Sequence, residues 1–277
     1  MKSIYMLMHE RKANALELVT VVAQAMHHAD IQVAVEPWVY EKMGECSLFS
    51  GCSTEGAEAI VSVGGDGTLL RANAMAIELN LPVFGINVGR VGFLTEIELD
   101  QLEQACKKLA CDDYFIEERM MLEANIAGRR ALALNDVVLS RGGYSRLISL
   151  SACVGKEQIG QFIADGMIVA TPTGSTGYSL SAGGPIVCPL VECMLITPVC
   201  AHSLQHRPVV TPPDQMVSIQ LDSNLEAVVS VDGQGPYPLS GGQVLTVRRS
   251  DVRAKFIRLE PGQFFNKIRI KLSEWSC

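Results

Sequence analysis

A lone carboxylate, Asp66, sits inside the run Gly64-Gly65-Asp66-Gly67-Thr68. Glycines beside it let a backbone turn sharply and approach a ligand with no Cβ in the way. The apolar stretch Ala59-Ile60-Val61-Ser62-Val63 reads as a buried strand before the turn, and Leu69 to Ala76 reads as a helix after it. Amides that open a helix are unpaired and suit an anion. An acid in a phosphate cradle repels that anion, so its presence points to a bound metal or to proton abstraction. The combination predicts phosphoryl transfer from a nucleotide. Gly and Asp also fill ordinary turns, but the doubled glycine, the Thr and the apolar flanks favour a site. The run has no Gly-Lys-Ser/Thr of a Walker A loop, and Gly-x-Gly-x-x-Gly fails at Leu70.

A second dense segment runs from Asp165 to Pro185 and includes Thr171-Pro172-Thr173-Gly174-Ser175-Thr176-Gly177-Tyr178. So many hydroxyls and glycines make a poor hydrophobic core. An ordinary Ser/Thr/Gly loop is one reading; a nucleoside pocket is the other. Hydroxyls and amides can meet ribose and base edges, and Tyr178 can stack on a ring.

Both segments need a scaffold. In the first hundred residues Ile4–Met8, Ile31–Val35, 59–63 and 82–87 read as strands. Between them, Ala13–Ala29 reads as a helix with Leu16, Val19, Ala23 and Met26 on one face, and Glu41–Gly56 as a polar connection. Strands alternating with helices predict a parallel α/β layer with ligands at the strands' carboxyl ends. After a helix over Leu99–Leu109, short β segments dominate: 121–126, 133–140, 147–154, 160–163, 167–170, 215–221, 227–231, 244–249 and 254–259. This half reads as an antiparallel β domain. The predicted limits are 1–105 for the α/β domain and 106–261 for the β domain.

At 277 residues, 48% apolar and 19% charged, the chain has the make-up of a packed globule. The N-terminal apolar run stops at His9-Glu10-Arg11-Lys12, and no run reaches the ~18 residues of a membrane span. The net charge of −7 gives no general attraction to nucleic acid or to anionic lipid. Nine cysteines without a Cys-x-x-Cys pair suggest reduced thiols in the cytoplasm rather than disulfides or zinc. His27-His28 are expected to face solvent, His202 and His206 to have surface or packing roles, and Asp232-Gly233 to be a hairpin turn.

Gly64 to Thr68, then Asn135-Asp136, then Thr171 to Tyr178, in this order and spacing, resemble bacterial NAD kinases. The match includes Gly85-Ile86-Asn87-Val88-Gly89-Arg90-Val91-Gly92-Phe93-Leu94-Thr95 and spans about residues 59 to 240. The resemblance implies an N-terminal Rossmann-like α/β domain, a C-terminal antiparallel β-sandwich, an active site between them, and a final segment, 262–277, returning to the first domain. It implies transfer of the γ-phosphoryl of ATP to the 2′-hydroxyl of the adenosine ribose of NAD, with Mg²⁺ or another divalent cation, in a homodimer or homotetramer.

By position, the resemblance gives Asp66 the proton of the 2′-hydroxyl and Asn135 and Asp136 the ribose hydroxyls and adenine. Asp165 and Thr173 meet base or amide edges, and Thr176, Gly177 and Tyr178 bind and stack on the substrate. Phe93 and Gly67 line the NAD site, while Gly64, Gly65, Gly67 and Thr68 hold phosphate; no metal ligand is assigned. Two departures stand out: Asp136 replaces the usual Glu, and Gly177 the usual Ala. A lipid kinase would share the glycine turn but lacks the polar loop at 171–178. A non-catalytic NAD(P) sensor would have no need of Asp66.

Overall fold

The structure is a computed structural model that describes residues 1–277 apart from 13, 45, 90, 91, 143–146, 204, 223, 224 and 275–277, and apart from the side chains of 272 and 274. Ala13, Glu45, Arg90, Val91, Leu204 and the last three residues of the 262–277 segment therefore lie outside the described residues.

The chain begins β1 (Ser3–Met8), α1 (Ala15–His28), β2 (Gln32–Val35), α2 (Pro37–Met43), β3 (Ala59–Gly64), α3 (Asp66–Leu79) and β4 (Val83–Asn87). It continues with β5 (Ile97–Glu98), α4 (Leu102–Ala110) and β6 (Phe115–Arg119). Next come β7 (Leu122–Ile126), β8 (Arg129–Ala133), β9 (Asp136–Arg141), β10 (Ile148–Val154), β11 (Glu157–Ala164), β12 (Gly166–Ala170) and the short helix α5 (Tyr178–Ser181). Then follow β13 (Met194–Val199), β14 (Val209–Thr211), β15 (Val217–Leu221), β16 (Glu226–Val231), β17 (Gln234–Ser240) and β18 (Val244–Arg249), before β19 (Ala254–Arg258) and α6 (Phe264–Glu274). Two compact units result: Met1–Glu118 with Ala254–Cys277, and Arg119–Arg253.

The first unit is built on a sheet ordered β2-β1-β3-β4-β19-β6, with β5 beside β4. Neighbours from β2 to β19 run parallel. Strand β3 is buried along its whole length, as a parallel sheet covered on both faces requires. On one face Ile4, Met6, Val61, Val63, Phe84 and Ile86 pack with Val19, Val22 and Met26 of α1 and with Leu109 of α4. Spacings of three and four put those α1 residues on one stripe. Strand order reverses direction between β1 and β3, so the carboxyl end of β3, where the glycine turn falls, lies at a switch point.

The second unit is two six-stranded antiparallel sheets, β11-β10-β15-β18-β7-β8 and β14-β13-β12-β9-β16-β17. Strands such as β7 and β15 alternate buried and less buried residues, the signature of a sheet with one face in a core. Leu122, Val137, Leu150, Val169, Ile219, Val229 and Val247, drawn from both sheets, share one core. The fold is thus a Rossmann-like α/β domain followed by an antiparallel β-sandwich, as expected.

Several elements depart from the sequence pattern. Helix α2 begins before the expected polar connection and takes in its first three residues, with Pro37 in its first turn, where a missing N–H costs nothing. The strand expected over 133–140 breaks at Leu134 and Asn135. Strands β13, β14 and β17 are additions to the expected set; β17 carries Pro236 and Pro238 and lies at a sheet edge, where proline is tolerated. Strand β19 pairs with β4 through Phe256 and Val83, so it belongs to the parallel sheet and not to the β half. Because β6 and β19 join that sheet, the compact units divide at 118 and 254 rather than at 105 and 262.

Candidate active site

In the first unit, Gly64 ends β3, Gly65 caps α3, and Asp66 opens the helix, where the helix dipole favours a negative charge. A Cβ on Gly64 would lie 2.3 Å from Thr68 Oγ1, so Thr68 fills the space under the turn. The Thr68 amide donates to the Gly65 carbonyl at 3.0 Å. Of the four residues expected to hold phosphate, Gly64 is buried and Thr68's amide is already taken, while Gly65 and Gly67 are exposed.

The Asp66 carboxylate is aimed by backbone. Oδ2 accepts the Phe93 amide at 2.9 Å and Oδ1 accepts the Leu94 amide at 3.1 Å. Each oxygen keeps a further lone pair. The loop that supplies these amides is itself pinned. Arg258 Nη1 donates to the Leu94 carbonyl at 3.2 Å and to Glu96 at 2.9 Å, and its Nε donates to Glu117 at 2.9 Å. Arg258 and Glu96 are buried, and losing one member of a buried ion pair typically costs ~3–5 kcal/mol. From α6, Lys267 Nζ bonds the Thr95 carbonyl, and the Lys271 ammonium lies 4.9 Å from the centroid of the Phe93 ring, within cation–π range. Sequence pattern alone points to none of these supports, since each spans a long sequence separation.

In the second unit, β12 and β9 pair antiparallel, with Ala170 opposite Asp136. That register brings the loop after β12 to the start of β9. Thr171 N donates to the Asn135 carbonyl at 2.8 Å, and Thr171 Oγ1 donates to the Leu134 carbonyl at 2.5 Å. A Cβ on Gly177 would lie 3.8 Å from both Asn135 Nδ2 and Asp136 Oδ2. Asn135, Asp136, Thr173, Thr176 and Gly177 thus form one cluster. Asn135 Oδ1 is buried with no hydrogen-bond partner among the described residues, an acceptor in want of a donor. Arg119 Nη1 donates to Thr173 Oγ1 at 3.3 Å, a contact that no motif in the sequence signals.

Asp136 is only 7% exposed. Burial, and then the negative charge of Asp232, push its carboxyl up to about 7. Burial also raises Asp232 above the usual carboxylate range, against the lowering effect of three backbone amides.

Other expected residues lie apart from this cluster or at its rim. Tyr178 opens α5 and is 47% exposed, available for stacking. Asp165 precedes β12, roughly 20 Å of extended chain away from Thr171, and pairs with Arg141 Nε at 3.2 Å. His27 and His28 are exposed. His206 packs on Phe162 with ring centroids 4.3 Å apart. Every described cysteine is free. Among the described residues no helix is long and apolar enough to cross a membrane.

Both units match known proteins. The profile of the ATP-NAD kinase N-terminal domain matches residues 4–114, and that of the ATP-NAD kinase C-terminal domain matches residues 134–259. An NAD kinase of Thermoanaerobacter sp. is 35% identical over 282 residues, covering 99% of this chain and 100% of the relative. An NAD kinase of Desulforamulus reducens is 42% identical over 246 residues, covering 83% and 85%. Among solved structures, yeast NADH kinase complexed with NADH superposes with a TM-score of 0.88 at 25% identity, covering 99% of this chain and 88% of that one. An NAD kinase from Archaeoglobus fulgidus in complex with ATP gives 0.77 at 27% identity, covering 96% and 98%. With both domain profiles matched in order and relatives similar from end to end, the chain belongs to the ATP-NAD kinase family.

Proposed function

We propose that this chain makes NADP by moving the γ-phosphoryl group of ATP to the 2′-hydroxyl of the adenosine ribose of NAD. The observation that carries the reading is Asp66, a carboxylate held by two backbone amides in an open glycine turn at a strand's carboxyl end. The relatives named for NAD phosphorylation, and the archaeal one solved with ATP, support it.

Phosphoryl transfer asks a protein mainly for positioning and charge neutralisation. Asp66 receives the 2′-hydroxyl proton late in transfer, typically worth ~10²–10⁴-fold. The exposed amides of Gly65 and Gly67 approach phosphate oxygens, with Gly64 and Thr68 shaping the turn beneath them. Asn135 and Asp136 hold ribose hydroxyls and the adenine, Thr173 and Thr176 line that pocket, Gly177 leaves room beside the pair, and Tyr178 stacks on a ring. Phe93 presents an aromatic face next to Asp66, and Asp165 takes a base or amide edge. Mg²⁺ or another divalent cation neutralises the donor phosphates when bound. Among the described residues no three potential ligands gather, and Asp66 is the carboxylate at the turn. We further infer a cytoplasmic homodimer or homotetramer.

The test is incubation of the purified chain with NAD, ATP and Mg²⁺, with NADP quantified by chromatography. NADP formation is expected. NAD binding without NADP would favour a sensor, and neither would favour a lipid substrate.

One supporting glycine is testable in the same assay. A Cβ on Gly92 would stand 2.2 Å from Asp66 Oδ1 and 2.7 Å from Thr95 Oγ1. Gly92→Ala must displace the carboxylate, and misplacement by about 1 Å can cost ~10²-fold. We expect kcat to fall by about that factor with little change in KM for NAD. A variant with unaltered kcat would show that the carboxylate's placement is not critical.

A further inference from the structure

We propose that Asp232 is a positioning residue for NAD: its carboxylate holds the backbone of Leu134, Asn135 and Asp136 and so sets where that pair presents its side chains. The proposal rests on the reading above that Asn135 and Asp136 hold NAD.

Asp232 and Gly233 join β16 to β17, and both have positive φ, 49° and 74°. That is the two-residue hairpin turn the sequence suggests, for which Asp-Gly and Asn-Gly serve equally. The turn alone has no use for a half-buried acid. Here the carboxylate reaches across to the break before β9. Oδ2 accepts the Leu134 amide at 2.7 Å, and Oδ1 accepts the Asn135 and Asp136 amides at 2.8 and 3.1 Å. The Asp232 amide in turn donates to the Asp136 carbonyl at 3.0 Å. Strand β8 ends at Ala133 and β9 begins at Asp136, so these amides lie where the ladder breaks and Asp232 satisfies all three. Anionic acceptors make such bonds strong.

The arrangement puts the half-buried Asp232 against the buried Asp136. Among the described residues the charge that acts on Asp136 is Asp232 on the hairpin; Arg119 is engaged with Thr173 Oγ1 in the neighbouring loop. Asp136 is raised to about 7, first by burial and then by Asp232. As pH falls through that value Asp136 loses an acceptor oxygen, and KM for NAD should rise. Replacing Asp232 by a neutral amide removes the second cause and leaves the first.

The experiment is steady-state NADP formation by wild type and Asp232→Asn from about pH 6 to about pH 9. In the variant, KM for NAD should rise about tenfold or more, while kcat and KM for ATP stay within about twofold. The acidic limb of the NAD profile should move to lower pH, since the raising effect of the Asp232 charge is gone while burial remains. A folded variant with unchanged KM for NAD and an unmoved limb overturns the proposal, and so does a parallel fall in every parameter. If the variant does not fold, amide proton shifts of Leu134, Asn135 and Asp136 in the wild type decide: they should titrate with one midpoint, and independent titration overturns the proposal. Absence of NADP from the wild type would instead sink the underlying reading, leaving the amide titration as a separate test of Asp232.

Discussion

Asp66→Asn should bind NAD and ATP yet lose ~10²–10⁴-fold in turnover, the usual worth of a positioned acid or base. The argument is local. The carboxylate uses one lone pair on each oxygen to accept the Phe93 and Leu94 amides, so at least one acceptor position remains for a hydroxyl proton. An asparagine of the same shape keeps one oxygen, but its NH₂ meets the second backbone amide donor to donor. It has no basic oxygen free and no negative charge to offer. Binding should persist because the glycine turn, the Thr68 packing and the second unit's cluster do not depend on that charge. The measurement is single-turnover NADP formation at saturating NAD and ATP, beside calorimetric binding of NAD. Turnover within tenfold of wild type would remove Asp66 from proton transfer. Loss of ATP·Mg²⁺ binding with intact NAD binding would make it a metal ligand instead.

The parts of this protein that are readable from sequence are those encoded by local pattern. Strand β3 and helix α3 follow from an apolar run, two glycines and a helical repeat, and these place Asp66 at the junction to within a residue. What sequence does not carry is contact across long separations. Phe93 and Leu94 hold Asp66 from 27 and 28 residues away. Arg258 steadies the same loop from 164 residues away. Asp232 reads as a turn residue and is one, yet its carboxylate also serves a strand 96 residues earlier. Prolines hide strand β17, and β19 carries an ordinary strand pattern that does not say which sheet it joins. Asp165 adjoins the Thr-rich loop in sequence, but the length of β12 separates them.

The second large effect expected is on stability, at Gly174. Its φ is not in the left-handed region, so an alanine meets no backbone strain there; the obstacle is space. A Cβ would stand 2.0 Å from the Asn135 carbonyl oxygen, 2.5 Å from its carbon and 2.7 Å from its Cα. All three are backbone atoms and cannot swing aside. The same carbonyl accepts the Thr171 amide, and Gly174 N donates to Thr171 Oγ1 at 3.0 Å, so relief requires parting the loop from β9. Overpacking typically costs ~1–3 kcal/mol, and a clash with fixed backbone belongs at the upper end. Gly174→Ala should therefore lose about 3 kcal/mol in urea unfolding, and its folded fraction should show a raised KM for NAD because Asn135 and Asp136 move with the strand. Gly177→Ala is the matched control. Its Cβ would lie 3.3 Å from the Gly174 carbonyl and 3.8 Å from its other neighbours, so it should stay within about 1 kcal/mol of wild type. If both variants unfold alike, the cost comes from lost glycine freedom in the loop rather than from the Gly174 contact. If only Gly174→Ala is weakened, close packing of that loop on Asn135 is what holds the substrate-binding pair in place.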